Sequence, residues 1–130
     1  MRLIDNILLQ DVCQQATASP RLRMNHNFHN RLDAPAQRLI NALQPGTELP
    51  IHRHRHTAET YILLQGSLRV MFYNDDKTLA EEVTLSRDSG VLGVHIPAGQ
   101  WHTLEVLEAD TAIFEVKDGP YTPLQPDDML

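Results

Sequence analysis

The stretch Gly46-Thr47-Glu48-Leu49-Pro50-Ile51-His52-Arg53-His54-Arg55-His56-Thr57-Ala58-Glu59, closing at Gly66, carries more of the chain's meaning than any other. On a β-strand, side chains two apart project to the same face, so a strand over Leu49 to His54 presents His52 and His54 together. A short polar turn from Arg55 to Ala58 reverses the chain, and Glu59 opens the next strand beside the two imidazoles. A further histidine, His102, follows Pro97-Ala98-Gly99, a tight-turn signal leading into another strand. Three imidazole nitrogens and one carboxylate oxygen form a site for one divalent transition metal ion, with zinc, iron, manganese and nickel all compatible. Four protein ligands leave a position open on a five- or six-coordinate ion, where water or a substrate binds.

At these residues the chain resembles the cupin superfamily. Its first motif is glycine, five residues, His-x-His, four residues, glutamate, six residues, glycine, and Gly46 to Gly66 matches every fixed place. In the second motif Pro97, Gly99 and His102 fit, the opening glycine is displaced by one place with Gly90 nearest, and Val106 stands where asparagine is usual. A frame using His54 and His56 shares the strand parity, but the gap from His54 to Glu59 fits the motif. Beyond the motifs, the order of segments from Ser19 to His29, Gln37 to Gly46 and Phe114 to Tyr121 is similar to that of small bacterial cupin-fold metalloproteins of the WbuC type. That resemblance implies a single metal-binding cupin and a link to surface-polysaccharide metabolism, including O-antigen biosynthesis. It implies no particular reaction.

Outward from the motif, the pattern reads as all-β: a single jelly-roll β-barrel preceded by one short helix. Asp5 is an N-cap signal, and Leu8, Leu9, Val12, Cys13 and Ala16 recur at helical spacing until Ser19-Pro20 stops the run. The expected divisions are an N-terminal helix over residues 1–18, the cupin domain over 19–122 and a loosely held tail over 123–130. Alternation between Leu22 and His29 puts Leu22, Met24, His26 and Phe28 on one face and Arg23, Asn25, Asn27 and His29 on the other. Further strands are expected at Arg38–Leu43, Glu59–Leu64, Ser67–Tyr73, Ala80–Leu85, Val91–Ile96, Trp101–Val106 and Thr111–Lys117. Asn74 to Lys77 reads as a hairpin turn. Many short strands separated by Pro/Gly turns indicate a sandwich or barrel.

Composition sets limits. A chain of 130 residues forms one domain that buries a core without disulfides. The net charge of −6, with Lys77 and Lys117 as the only lysines, argues against nucleic acid or an anionic membrane as partner. Cys13 is alone, is expected to be a buried helix residue and fits a reducing cytoplasm. Leu8-Leu9 is too short an apolar run for a signal peptide and is flanked by Asp5 and Asp11, so the expected location is cytoplasmic.

The remaining residues divide by face. Arg23 and His29 share the polar face of the first strand and are candidates to contact a substrate. Tyr61, two places after Glu59, is a cavity wall, and both Tyr61 and His29 are catalytic candidates. His26 is expected as a hydrogen-bonded core histidine, His56 and His95 as surface residues, and Glu105 and Glu108 as solvated charges. Trp101 points away from His102, toward outer packing or an oligomer contact. The expected partners are a small-molecule ligand and, from the exposed sheet edges, a second copy in a homodimer. Three functions remain open: a metal-dependent enzyme such as an isomerase acting on a sugar-like or carboxylate substrate, an iron-dependent dioxygenase, and a non-catalytic metal- or ligand-binding module.

Overall fold

The computed structural model describes residues 1–130. One helix, α1 (Asn6–Ala18), precedes eight strands: β1 (Arg23–Asn27), β2 (Ala36–Leu43), β3 (Glu59–Gln65), β4 (Leu68–Tyr73), β5 (Leu79–Leu85), β6 (Gly93–Ile96), β7 (Trp101–Val106) and β8 (Thr111–Asp118). Asp5 caps α1 as its sequence position suggests, its carboxylate accepting the Leu8 N–H at 3.0 Å, an interaction that contributes about 1 kcal/mol.

The strands form two antiparallel sheets, one in the order β1-β2-β8-β3-β6 and one in the order β5-β4-β7. They face each other as a jelly roll, and the core between them is built from Leu43, Tyr61, Leu68, Val70, Leu85, Ile96, Leu104, Val106 and Ile113. The larger sheet is buried on its other side as well. Alternate residues Ile40, Ala42 and Ala112 turn outward and meet Leu9, Val12, Cys13 and Ala16 of α1. That double burial is why Leu39 to Leu43 of β2 are all buried, Asn41 included, instead of alternating between buried and exposed.

Gly66 ends β3 at φ +81°, a left-handed conformation, and the Cβ of any other residue would lie 2.7 Å from the Thr111 Cα. Both facts favour glycine at the closing place of the motif. The hairpin at Asn74 to Lys77 forms without a glycine. Lys77 takes φ 71°, and the Asp76 carboxylate accepts the Thr78 N–H at 3.1 Å.

Several expectations need correction. Leu49 to His54 is not a strand. Pro50 has no N–H to give a ladder, and only His52 makes isolated bridges, to His102 on one side and Met129 on the other. The tail is not loose: Pro126–Asp128 is a 3-10 turn, Asp128 is buried, the Arg53 N–H donates to the Asp128 carbonyl at 3.0 Å, and the Leu130 N–H donates to the Ile51 carbonyl at 2.7 Å. Trp101 is not an outer contact. It is buried, donates Nε1–H to Asp75 at 3.2 Å, and is covered by the Arg53 guanidinium 4.4 Å from the ring centroid. His26 is half-buried with its ring edge-on to Phe28, because β1 is an edge strand with no second neighbour to enclose it.

Candidate metal centre

Glu59 is the first residue of β3 and His102 the second of β7, so the two lie on opposite sheets. The irregular segment 49–58 spans the gap and brings His52 and His54 between them. The ligand atoms of His52, His54, Glu59 and His102 all lie within 4.8 Å of one another. His56 is exposed and outside this cluster, and so is His95, whose Nδ1 meets the Thr60 hydroxyl at 2.9 Å.

Backbone carbonyls orient two of the rings. His52 Nδ1 meets the Pro50 carbonyl and His102 Nδ1 the Gln100 carbonyl, each at 2.9 Å. A carbonyl oxygen only accepts, so both Nδ1 atoms carry hydrogen and both rings turn Nε2 inward. His102 Nε2 then lies 2.8 Å from Glu59 Oε1, with His54 Nε2 at 3.7 Å from the same oxygen. A neutral Nε2 lone pair facing a carboxylate oxygen at that distance is repulsive unless a cation, either a proton or a metal ion, stands between them. The donor set and its backbone-fixed tautomers therefore fit a first-row divalent ion.

The electrostatics agree. Burial, reinforced by His102, pushes His52 down to about 4, and burial also lowers His54 against the opposing pull of Glu59. These imidazoles are unprotonated at neutral pH, the form that ligates. Burial alone would raise the Glu59 carboxyl, but the hydrogen bond and charge of His102, with His54 and Lys117, outweigh it and hold Glu59 at about 2. Tyr61 is buried, which pushes its phenol well above the ordinary range, and it donates its O–H to Glu59 Oε1 at 3.1 Å. The tyrosine thus steadies the carboxylate.

A cavity of about 180 Å³ opens beside the quartet, lined by His52, His54 and Glu59 together with Arg23, Tyr61 and others. Of the substrate-contact candidates, Arg23 and Tyr61 line it. His29 does not: β1 ends at Asn27, and His29 Nδ1 accepts the Arg38 N–H at 3.2 Å. The sequence reading missed Asn41, Glu115 and Lys117, which also face this space. A signal was present for Glu115, since it shares strand parity with the core residue Ile113, an unusual place for a charge. Burial pushes its carboxyl up, and it accepts Asn41 Nδ2–H at 2.9 Å.

The sequence model of a family described as a domain of unknown function, DUF6016, matches residues 4–85. The chain belongs to the DUF6016 family. The matched part of this DUF6016 protein contains His52, His54 and Glu59 but ends before His102. Among curated proteins, none matches it. Solved structures similar to it include the cupin domain of Cnp3 from Schizosaccharomyces pombe, at 12% identity over 74% of this chain and 64% of that one, with a TM-score of 0.59. KdgF from Halomonas sp. is similar at 17% identity over 80% of this chain and 84% of that one, with a TM-score of 0.60. The capsular polysaccharide assembling protein CapF from Staphylococcus aureus is similar at 23% identity and a TM-score of 0.63, over 84% of this chain but only 31% of CapF. At these identities the likeness shows the cupin fold. No helix is long and apolar enough to cross a membrane.

Proposed function

We propose that this DUF6016 protein is a metal-dependent enzyme acting on a small polar molecule, sugar-like or carboxylate, in surface-polysaccharide metabolism. The observation that carries the reading is the pair of inward-turned Nε2 atoms, on His52 and His102, beside Glu59 and His54. A divalent ion held by these four supplies Lewis-acid polarisation of a bound carbonyl or hydroxyl. The chain's own residues do the rest: Tyr61 fixes the Glu59 carboxylate, and the adjoining cavity, lined by His52, His54 and Glu59, would receive the substrate next to a bound ion. The polysaccharide assignment rests on the resemblance to WbuC-type cupins, and the role named for CapF, capsular polysaccharide assembly, is consistent with it. A cytoplasmic location and a homodimer belong to the same proposal, the latter supported by exposed Ile62 and Val116 on the outer side of neighbouring strands β3 and β8.

Metal analysis of protein purified without added metal tests the first step. About one equivalent of a first-row transition ion per chain is expected for the four-ligand site. Iron with oxygen consumption directs the chemistry to a dioxygenase, and zinc, manganese or nickel to isomerisation or hydrolysis. Protein that folds well and stays empty when offered these ions sinks the reading. Metal-loaded protein that binds no sugar or carboxylate in a thermal-shift screen is a binding module for the ion alone.

A further inference from the structure

The cavity beside the candidate metal cluster does not share the acidic balance of the chain around it. The chain carries a net charge of −6, yet Arg23 and Lys117 line this space with the two carboxyl groups Glu59 and Glu115. With both carboxyls ionised the side chains cancel, and a divalent ion held by His52, His54, Glu59 and His102 would leave the cavity positive by two charges. A low-dielectric recess of that sign favours an anion. Arg23 is the fixed cation: its Nη1 donates to the Glu48 carbonyl at 3.0 Å, which holds the guanidinium in place at the wall. A planar guanidinium suits a planar carboxylate. No helix N-terminus is among the elements lining this space, so the backbone amides that commonly cradle phosphate are lacking.

Asn41 adds a second requirement. It is 8% exposed, donates Nδ2–H to Glu115 Oε1, and leaves Oδ1 buried with no donor in the protein. Buried acceptors without a donor are rare in native structures, and a partner from outside the chain is a common explanation. The missing partner is an O–H or N–H donor.

We infer that the cavity binds a small hydroxy carboxylate, its carboxylate recognised by Arg23 and its hydroxyl groups by Asn41 and Glu115. This rests on the metal-enzyme reading above and names the substrate class for the same site. Gluconate carries both features, sorbitol only the hydroxyls, hexanoate only the carboxylate, and glucose 6-phosphate a different anion. Calorimetric titration of zinc-loaded protein with each, with zinc content measured before and after, tests the inference.

Gluconate should bind at least about tenfold more tightly than the other three. Arg23→Gln should remove most of that preference over sorbitol, and Asn41→Ser most of the preference over hexanoate, both with zinc retained. Should Asn41→Ser fold poorly, Glu115→Gln with Arg23→Gln carries the same comparison. Equal binding of all four compounds, tighter binding of glucose 6-phosphate, no binding, or an Arg23→Gln variant that keeps the preference would overturn the inference while zinc stays bound. Loss of zinc from the wild-type chain before any acid is added is a different failure, that of the metal reading.

Discussion

His52 and His102 are joined by a two-way backbone bridge: the His52 N–H donates to the His102 carbonyl at 3.0 Å, and the His102 N–H returns to the His52 carbonyl at 2.9 Å. This single rung ties the irregular histidine segment to β7 and sets the two rings 4.3 Å apart, centroid to centroid. Two candidate ligands distant in sequence are thus held at a fixed spacing by main chain, so that side-chain changes should alter the ligand set without moving its frame.

Ligand substitution should therefore separate the quartet from its neighbours. Glu59→Ala and His102→Ala are each expected to weaken zinc binding by more than about 100-fold, beyond the range usual for residues that only support ligands. His56→Ala, at an exposed position, should leave it unchanged. Competition against a chromophoric chelator measures all three, and equal losses would show that the ligand frame is wrong.

Acid should destabilise the metal-free protein in a defined window. Burial holds His52 at about 4 in the folded chain, whereas an unperturbed imidazole titrates near ~6.5. Between those values the unfolded chain binds the extra proton, so stability present above pH ~6.5 is lost as pH falls toward 4. The full span corresponds to about 3 kcal/mol. Glu59, held at about 2, contributes stability above its ordinary value near ~4.5 that is lost at still lower pH. Thermal unfolding from pH 7 to 4 should show a falling Tm, and His52→Asn should flatten that slope. A slope that survives the substitution assigns the effect elsewhere.

The C-terminal segment acts as a clasp on the ligand loop. Asp128 pairs with both Arg53 and Arg55, the residues on either side of His54, and Met129 bridges His52. Asp128→Ala should weaken zinc binding by about tenfold, the lower end of the range for groups behind metal ligands. The circular dichroism spectrum should stay the same. Unchanged affinity would mean that the bridge between His52 and His102 fixes the loop alone.

Gly66→Ala tests the close of the motif. The left-handed φ costs an alanine roughly 1–2 kcal/mol, and its Cβ would press on the Thr111 backbone. The expected loss is above ~2 kcal/mol, read from the urea midpoint. Gly90→Ala meets nothing within 4 Å and should cost only the φ penalty.

The parts legible in the sequence share one property: they depend on neighbours close along the chain. Helix α1 was readable because its cap, its apolar spacing and its Ser19-Pro20 stop are all local. The cluster of candidate metal ligands was readable because the residues flanking His52, His54 and Glu59 match a known pattern, and Pro97-Ala98-Gly99 flags His102. Where the reading failed, a distant partner decided. Alternation suggested a strand through Leu49 to His54, but the sheet gives that segment only two single bridges. His29 shares parity with Arg23, but β1 ends before it, and the Arg38 N–H holds its ring instead.

By itself the sequence determined the β-rich class, the helix ahead of it and the four side chains that can grip a cation, because periodicity and residue chemistry are written in order along the chain. Only the tertiary structure decided that the tail docks on the ligand loop and that Arg53 covers Trp101. It also decided that Arg23, Asn41 and Glu115 meet around one cavity. Those contacts join residues up to 92 positions apart in the numbering, as Arg23 is from Glu115. Pairing across such distances is fixed by sheet register and packing, which no local pattern encodes.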